Sequence, residues 1–188
     1  MTRLLASFIF ISFCGMVNAQ EYTRIEMDIE IDKPASEVWA AVGDYCAITD
    51  WLGLDCEITS GDGGIGTVRA LAGGRILEIL VAETELSYGY TQPAVEGQFY
   101  NMYHGFMEAR PIGNDRTRMI YTLVYDVSNL ADQAAKDADT ARRRGAFENA
   151  LQNMKNLAEG YLASPRRISL ETIWHFRLRA AVVARHQA

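Results

Sequence analysis

Apolar positions change their period along this chain, and each change predicts an element. Ile25, Met27, Ile29 and Ile31 alternate with Glu26, Asp28 and Glu30, the pattern of a strand with one buried face. Asp32-Lys33-Pro34 then turns the chain into a short helix whose apolar face is Val38, Trp39 and Val42, closed by Gly43-Asp44. A second short helix is predicted over Tyr45 to Trp51. From Leu54 to Asp126 the spacing is that of strand after strand, punctuated by glycine-rich turns. After Asp132 the period becomes helical. Phe147, Ala150, Leu151, Met154, Leu157, Ala158 and Tyr161 recur three and four residues apart and share one helix face. Projected backward, that inward line runs through Arg143, Thr140, Asp139 and Lys136, which are polar. Either the helix kinks near Gly145, or its first half carries polar groups over the mouth of a cavity.

Two turns set the sheet's register. Gly73-Gly74 reads as a two-residue hairpin turn, which pairs Leu71 with Ile76 and sets Arg69 opposite Glu78. Leu71, Ile76 and Leu80 share the pair's face, so that face is predicted to point inward. The opposite face is also apolar, with Val68, Leu77, Ile79 and Val81. A turn at Thr84-Glu85 would place Gly89 and Thr91 on the face of Glu78, and Tyr88 and Tyr90 on the other. Further strands are predicted over Phe99 to Arg110 and Arg116 to Asp126, joined through Pro111 to Asp115.

The first nineteen residues stand apart from this pattern. Arg3, the apolar run Leu4 to Phe13 and the small-residue site Val17-Asn18-Ala19 have the form of a secretory signal peptide. The apolar run is too short to span a bilayer. Lipid attachment at Cys14 is disfavoured by the bulky Phe13 before it. The expected organisation is a signal peptide over 1–19, one domain over 20–162, and a tail over 163–188. Export would leave Cys46 and Cys56 as an even pair in an oxidising compartment, so a disulfide is expected, stabilising by about 2–3 kcal/mol. Two free buried thiols are the alternative. No metal site is expected, since no histidine or third cysteine lies near them in sequence.

From Gln20 to Leu162 there are 12 Lys+Arg against 23 Asp+Glu. Such an acidic body argues against a nucleic-acid partner. Residues 163–188 carry five Arg and one Glu. With Ile168, Ile173, Trp174, Phe176 and Leu178 they could form a basic amphipathic helix on an anionic membrane surface, pack on the acidic body, or remain a disordered end.

The order strand, two short helices, several antiparallel strands, one long helix resembles the START-like superfamily. So do Ile29 to Trp39, Gly43-Asp44-Tyr45 through Asp50-Trp51, Gly66-Thr67-Val68-Arg69, Glu78, and Asn153 to Leu157. Within that superfamily the chain is similar to bacterial polyketide cyclase/dehydrase-like (SRPBCC) proteins over Tyr22 to Leu162. The resemblance implies an α+β helix-grip fold: a curved antiparallel sheet of about seven strands wrapped around the C-terminal helix, with a cavity between them. It also implies that Glu78 lies in the ligand pocket. The fold hosts binding proteins and enzymes alike, so it does not choose a function.

The residues expected to contact a ligand are Arg69, Glu78, Tyr100, His104, Tyr121, Tyr125, Arg143 and Phe147. Arg69 and Glu78 would supply paired charge, and the tyrosines polar tips on apolar bodies. Arg143 would meet an anionic group. No nucleophile elbow, zinc motif, phosphate loop or dinucleotide fingerprint is present, and no cofactor is expected. Three readings follow. The first is an exported protein binding a small apolar or amphipathic molecule. The second is a cyclase/dehydratase-type enzyme in which His104 or Glu78 moves a proton. The third is an accessory protein of an exported partner, docking through its acidic body.

Overall fold

The structure, a computed structural model, describes residues 20–93 and 102–161. The sheet strands are β1 (Tyr22–Ile31), β2 (Cys56–Ser60), β3 (Val68–Leu71), β4 (Ile76–Thr84), β5 (Ser87–Thr91), β6 (Tyr103–Ile112) and β7 (Arg116–Asp126). They form one antiparallel sheet in the order β1-β7-β6-β5-β4-β3-β2. Helices α1 (Ala35–Val42) and α2 (Ile48–Leu52) follow β1, and α3 (Gln133–Ala158) follows β7. This is the helix-grip arrangement: a curved sheet with one long helix lying on its inner face. No described helix is long and apolar enough to cross a membrane.

Inner-face residues of β1 and β7 (Ile25, Met27, Ile31, Met119, Tyr121 and Leu123) form one core with Ala150, Leu151 and Met154 of α3. Tyr161 lies past the end of α3 and is exposed, so the apolar stripe stops at Ala158. The helix runs unbroken through Gly145. Asp132 caps it, its side chain accepting from the Ala135 N–H at 2.8 Å, which satisfies a first-turn donor. The second short helix begins later than its apolar residues suggest, at Ile48. Tyr45 to Ala47 instead form a turn, in which the Cys46 N–H donates to Asp44 Oδ1 at 2.8 Å.

The β3–β4 hairpin has the expected register, Leu71 opposite Ile76 and Arg69 opposite Glu78. The next hairpin does not. Thr84 pairs with Ser87, so Glu85-Leu86 makes the turn, and the register slips between Leu80 and Ala82. That irregularity inserts Val81 as an extra residue and inverts the faces beyond it. Tyr88 and Tyr90 therefore point inward, and Gly89 points outward. Neighbouring Gly–aromatic pairs then occupy opposite faces: Tyr90 opposite Gly105 inside, Phe106 opposite Gly89 outside. A Cβ on Gly105 would overlap the Tyr90 ring, and one on Gly89 would stand 2.7 Å from the Phe106 ring. Each ring lies over a glycine because no side chain would fit beneath it.

The two pairs differ in how freely they can yield. Tyr90 is 1% exposed and Phe106 42%. Gly105→Ala should therefore destabilise by about 1–3 kcal/mol through overpacking. Gly89→Ala should cost less, because Phe106 can swing into solvent. Urea denaturation of both variants checks the ranking.

Candidate functional site

The inner face carries a line of polar and aromatic groups from β3 to the N-terminal half of α3. It begins at Arg69 and Glu78, 0% and 4% exposed. Arg69 donates from Nε to Glu78 Oε2 at 2.9 Å and from Nη2 to the same oxygen at 2.7 Å. Its Nη1 donates to the main-chain carbonyl of Tyr45. Gln92 Nε2 donates to the other Glu78 oxygen at 3.4 Å. The Arg69 guanidinium carbon lies 4.1 Å from the Tyr45 ring centroid and 5.1 Å from that of Tyr90, within range of cation–π attraction.

Burial pushes the Glu78 carboxyl up, opposed by Arg69 and by the hydrogen bonds of Arg69 and Gln92. Burial also works against the Arg69 charge, but Glu78 and the surrounding phenols outweigh it and hold Arg69 above its ordinary value. The result is a cation that stays charged beside a carboxylate that binds its proton more tightly than usual.

From this pair the line continues through tyrosines. The Tyr90 and Tyr121 hydroxyls are 2.8 Å apart. The Tyr121 ring sits 4.6 Å from Phe147 of α3 and 6.2 Å from Trp51 of α2. Tyr103 lies 6.5 Å from Tyr90 and 6.1 Å from Tyr125. Arg143 closes the line, 4.3 Å over Tyr125 and 5.4 Å over Tyr103. It donates to the buried Asp139 at 2.7 Å, which also pairs with Arg142. The Tyr125 and Thr140 hydroxyls are 3.4 Å apart. Burial raises the phenols of Tyr88, Tyr90 and Tyr121, and raises Tyr103 to about 12. Tyr45 Oη and Trp51 Nε1 are buried without a hydrogen-bond partner among the described residues, and the buried Tyr88 hydroxyl faces Arg69 and donates to none of them.

Of the residues expected at a site, Arg69, Glu78, Tyr121, Tyr125, Arg143 and Phe147 share this interior. His104 does not. It lies on the outer face of β6, half-buried, beside Phe106 at 6.4 Å and opposite Thr91 and Val124. Its strand alternates Gly105, Met107 and Ala109 inward, which turns His104 and Phe106 outward. Tyr100, the 1–19 segment and the tail beyond Tyr161 lie outside the described residues. Tyr45, Tyr88, Tyr90, Tyr103 and Gln92 join the interior without having been expected to line a pocket, and Asp139 joins it from the polar inward line of the helix. For Tyr88 and Tyr90 the signal was hidden by the irregularity at Val81. For Tyr45, nothing local in the sequence shows that a turn roofs Arg69.

Cys46 and Cys56 form the expected disulfide, with Cα atoms 5.5 Å apart. Among the described residues, no group of three His, Cys, Asp or Glu side chains is placed to hold a metal ion.

Residues 22–159 match the family described as polyketide cyclase / dehydrase and lipid transport. No curated protein matches the chain in sequence. Several solved structures share its fold. A Thermobifida fusca protein solved by solution NMR is 20% identical with a TM-score of 0.61, covering 74% of this chain and 95% of that one. The Zhui aromatase/cyclase from a Streptomyces species is 17% identical with a TM-score of 0.58, covering 77% of this chain and 98% of the other. Norcoclaurine synthase from Thalictrum flavum, in complex with dopamine and hydroxybenzaldehyde, is 16% identical with a TM-score of 0.55, covering 84% and 99%. At these identities the likeness is one of fold.

Arg69→Met leaves Glu78 buried beside no cation and should cost about 3–5 kcal/mol, whereas Arg69→Met with Glu78→Met should recover most of that loss. A double-mutant cycle by urea denaturation checks it. The buried phenols set an alkaline limit. Their folded pKa values are raised, so this contribution to stability is whole below the ordinary phenol value of about 10. It is lost as pH rises toward the folded values, because the unfolded chain ionises first. Phenolate absorbance of Tyr90 and Tyr121 should therefore appear together with cooperative unfolding above about pH 10, and circular dichroism followed alongside absorbance tests that coincidence.

Proposed function

The chain belongs to the polyketide cyclase/dehydrase and lipid transport family, and from that premise we propose that it is an exported binding protein for a small amphipathic molecule, held between the sheet and α3. The observation that carries this reading is the Arg69–Glu78 pair, placed on the inner face and enclosed by Tyr45, Tyr88 and Tyr90. A buried ion pair is weak evidence for a stabilising role, because well-packed apolar residues often do as well. Its persistence among aromatic rings fits a recognition role better than a packing one.

The hydroxyls of Tyr45 and Tyr88 and the indole N–H of Trp51 support the same reading. Among the described residues they are buried donors with unused capacity, which an oxygen-bearing ligand would satisfy. Arg143 and Asp139 would stand at the far end of the line, over the mouth of the site. Export is supported by the charge and apolar pattern of residues 1–19 and by the Cys46–Cys56 disulfide, a bond that persists in oxidising compartments. The domain would then comprise residues 20–162, followed by the basic tail.

One observation favours a second reading at the same place. Burial pushes the Glu78 carboxyl up, the direction required of a general acid. In a cyclase- or dehydratase-type reaction, proton transfer would then rest on Glu78 and not on the outward-facing His104. Relatives on this fold include an aromatase/cyclase and a synthase bound to dopamine and hydroxybenzaldehyde.

Native mass spectrometry of protein purified from its own host should show a small molecule retained on the folded chain. The Arg69→Met/Glu78→Met variant should lose it, with affinity falling at least about tenfold, as expected when hydrogen bonds to charged groups are removed. A wild-type chain that carries nothing and shows no saturable binding of anilinonaphthalene sulfonate would refute the binding reading.

A further inference from the structure

We propose that the Cys46–Cys56 disulfide is a positioning element of the interior site, holding Tyr45 where its carbonyl and ring fix the Arg69 guanidinium. Tyr45 and Arg69 are 24 residues apart. The bridge shortens that path by tying the turn next to Tyr45 to the strand next to Arg69. Cys56 opens β2 opposite Leu71, and Ile58, two residues on, stands opposite Arg69 itself.

The two ends of the bridge are anchored unequally. On the Cys56 side, Asp55 accepts from the Gly73 N–H at 2.7 Å and from the Ala72 N–H at 3.3 Å, fastening β2 to the β3–β4 turn. From Ile48 onward the chain is held by buried Ile48, Trp51, Leu52 and Leu54. The Trp51 carbonyl also accepts from Asn153 of α3 at 3.1 Å. Before the turn, Val42 is buried in the core. Between Val42 and Ile48 the main chain bonds locally, Gly43 to Trp39, Cys46 and Ala47 to Asp44, and the Cys46 and Ala47 carbonyls to the amides of Thr49, Asp50 and Trp51 in α2. Among the described residues its main-chain bond to the sheet is the one the Tyr45 carbonyl accepts from Arg69. The Tyr45 ring and carbonyl, both on Arg69, and the disulfide tie this span to the sheet.

Arg69 depends on that span. Nε and Nη2 both converge on one Glu78 oxygen, and Nη1 reaches the Tyr45 carbonyl. A planar guanidinium held on both edges cannot turn. If Tyr45 moves away, the Nη1 edge loses its acceptor at a position with no exposure to water, so the site must open or rearrange. Because the rest of the segment is independently buried, the loss is local to this end of the interior. Both cysteines are partly exposed, so a small reductant can reach the bridge. Dithiothreitol supplies two electrons and two protons, the bridge becomes two thiols, and the reductant closes to its own cyclic disulfide.

The consequence for binding rests on the proposed function, but the position of Arg69 does not, and the test needs no ligand. Arginine Nε–H signals of nitrogen-labelled protein are followed by NMR in the oxidised chain and in the Cys46→Ser/Cys56→Ser variant. Arg143, whose Nε donates to Asp139 at 2.7 Å, is the internal reference. Breaking the bridge should speed solvent exchange at Arg69 by about tenfold or more while leaving Arg143 unchanged, as local opening requires. Equal acceleration at both arginines would show a general staple, and no change at Arg69 would show that Tyr45 is held without the bridge; either result overturns the proposal. Should the serine pair fail to fold, Cys46→Val/Cys56→Ala and reduction of the folded wild type in place give the same comparison.

Discussion

The interior is arranged around one buried ion pair. Arg69 cannot be deprotonated at any ordinary pH, so wherever the fold buries it a partner must be present. Glu78 is that partner because the turn over residues 72–75, with Gly73-Gly74 at its centre, sets Leu71 against Ile76 and so Arg69 against Glu78. One carboxylate oxygen accepts two of the five guanidinium donors, and a third goes to a main-chain carbonyl from outside the sheet. Removing either charged residue would strand the other. The turn after α1, the β3–β4 hairpin and Gln92 after β5 are all committed to this point.

The aromatic line follows from that commitment. A guanidinium without water is better solvated by ring faces than by aliphatic groups, and Tyr45, Tyr88 and Tyr90 provide them. Tyr90 in turn needs space and finds it over Gly105; its hydroxyl needs a partner and finds Tyr121, which packs on Phe147 of α3. At Phe147 the helix face changes character. Toward the C-terminus it is Ala150, Leu151 and Met154, buried as core. Toward the N-terminus it is Arg143, Thr140 and Asp139, bonded among themselves and to Tyr125. The helix continues through this change without a break, so the change is chemical and not conformational.

Much of the fold was legible because its signals are local: alternation in β1, glycines at the β3–β4 turn, and the three- and four-residue spacing after Phe147. The inward Arg69–Glu78 pairing was legible for the same reason, since a tight turn determines the residues beyond it. The faces of β5 were not. One extra residue at Val81 exchanges inside for outside, and both faces of β4 are apolar, so hydrophobicity offers no correction. His104 was misplaced by the same ambiguity. Met102 and Phe106 beside it look like core, yet Leu77, Val81 and Phe106 lie on an outer face and are 43%, 41% and 42% exposed. The Tyr45 contact with Arg69 spans 24 residues and runs through a main-chain carbonyl, an interaction that residue type does not encode.

Charge balance narrows what such an interior can hold. Arg69 and Glu78 cancel, and the phenols around them are kept protonated by burial. A ligand ion entering there would have to separate a pair already matched in geometry and would lose its own hydration as well. A neutral molecule would separate nothing. It would offer apolar area to the rings and Phe147, and acceptor oxygens to the donors of Tyr45, Tyr88 and Trp51 that no described residue accepts from. Under the proposed function, selection at this end is therefore by hydrogen bonding and shape, with any ionic group of the ligand left toward Arg143 at the polar end of α3. The direction in which a bound molecule lies follows from where the charges are already paired.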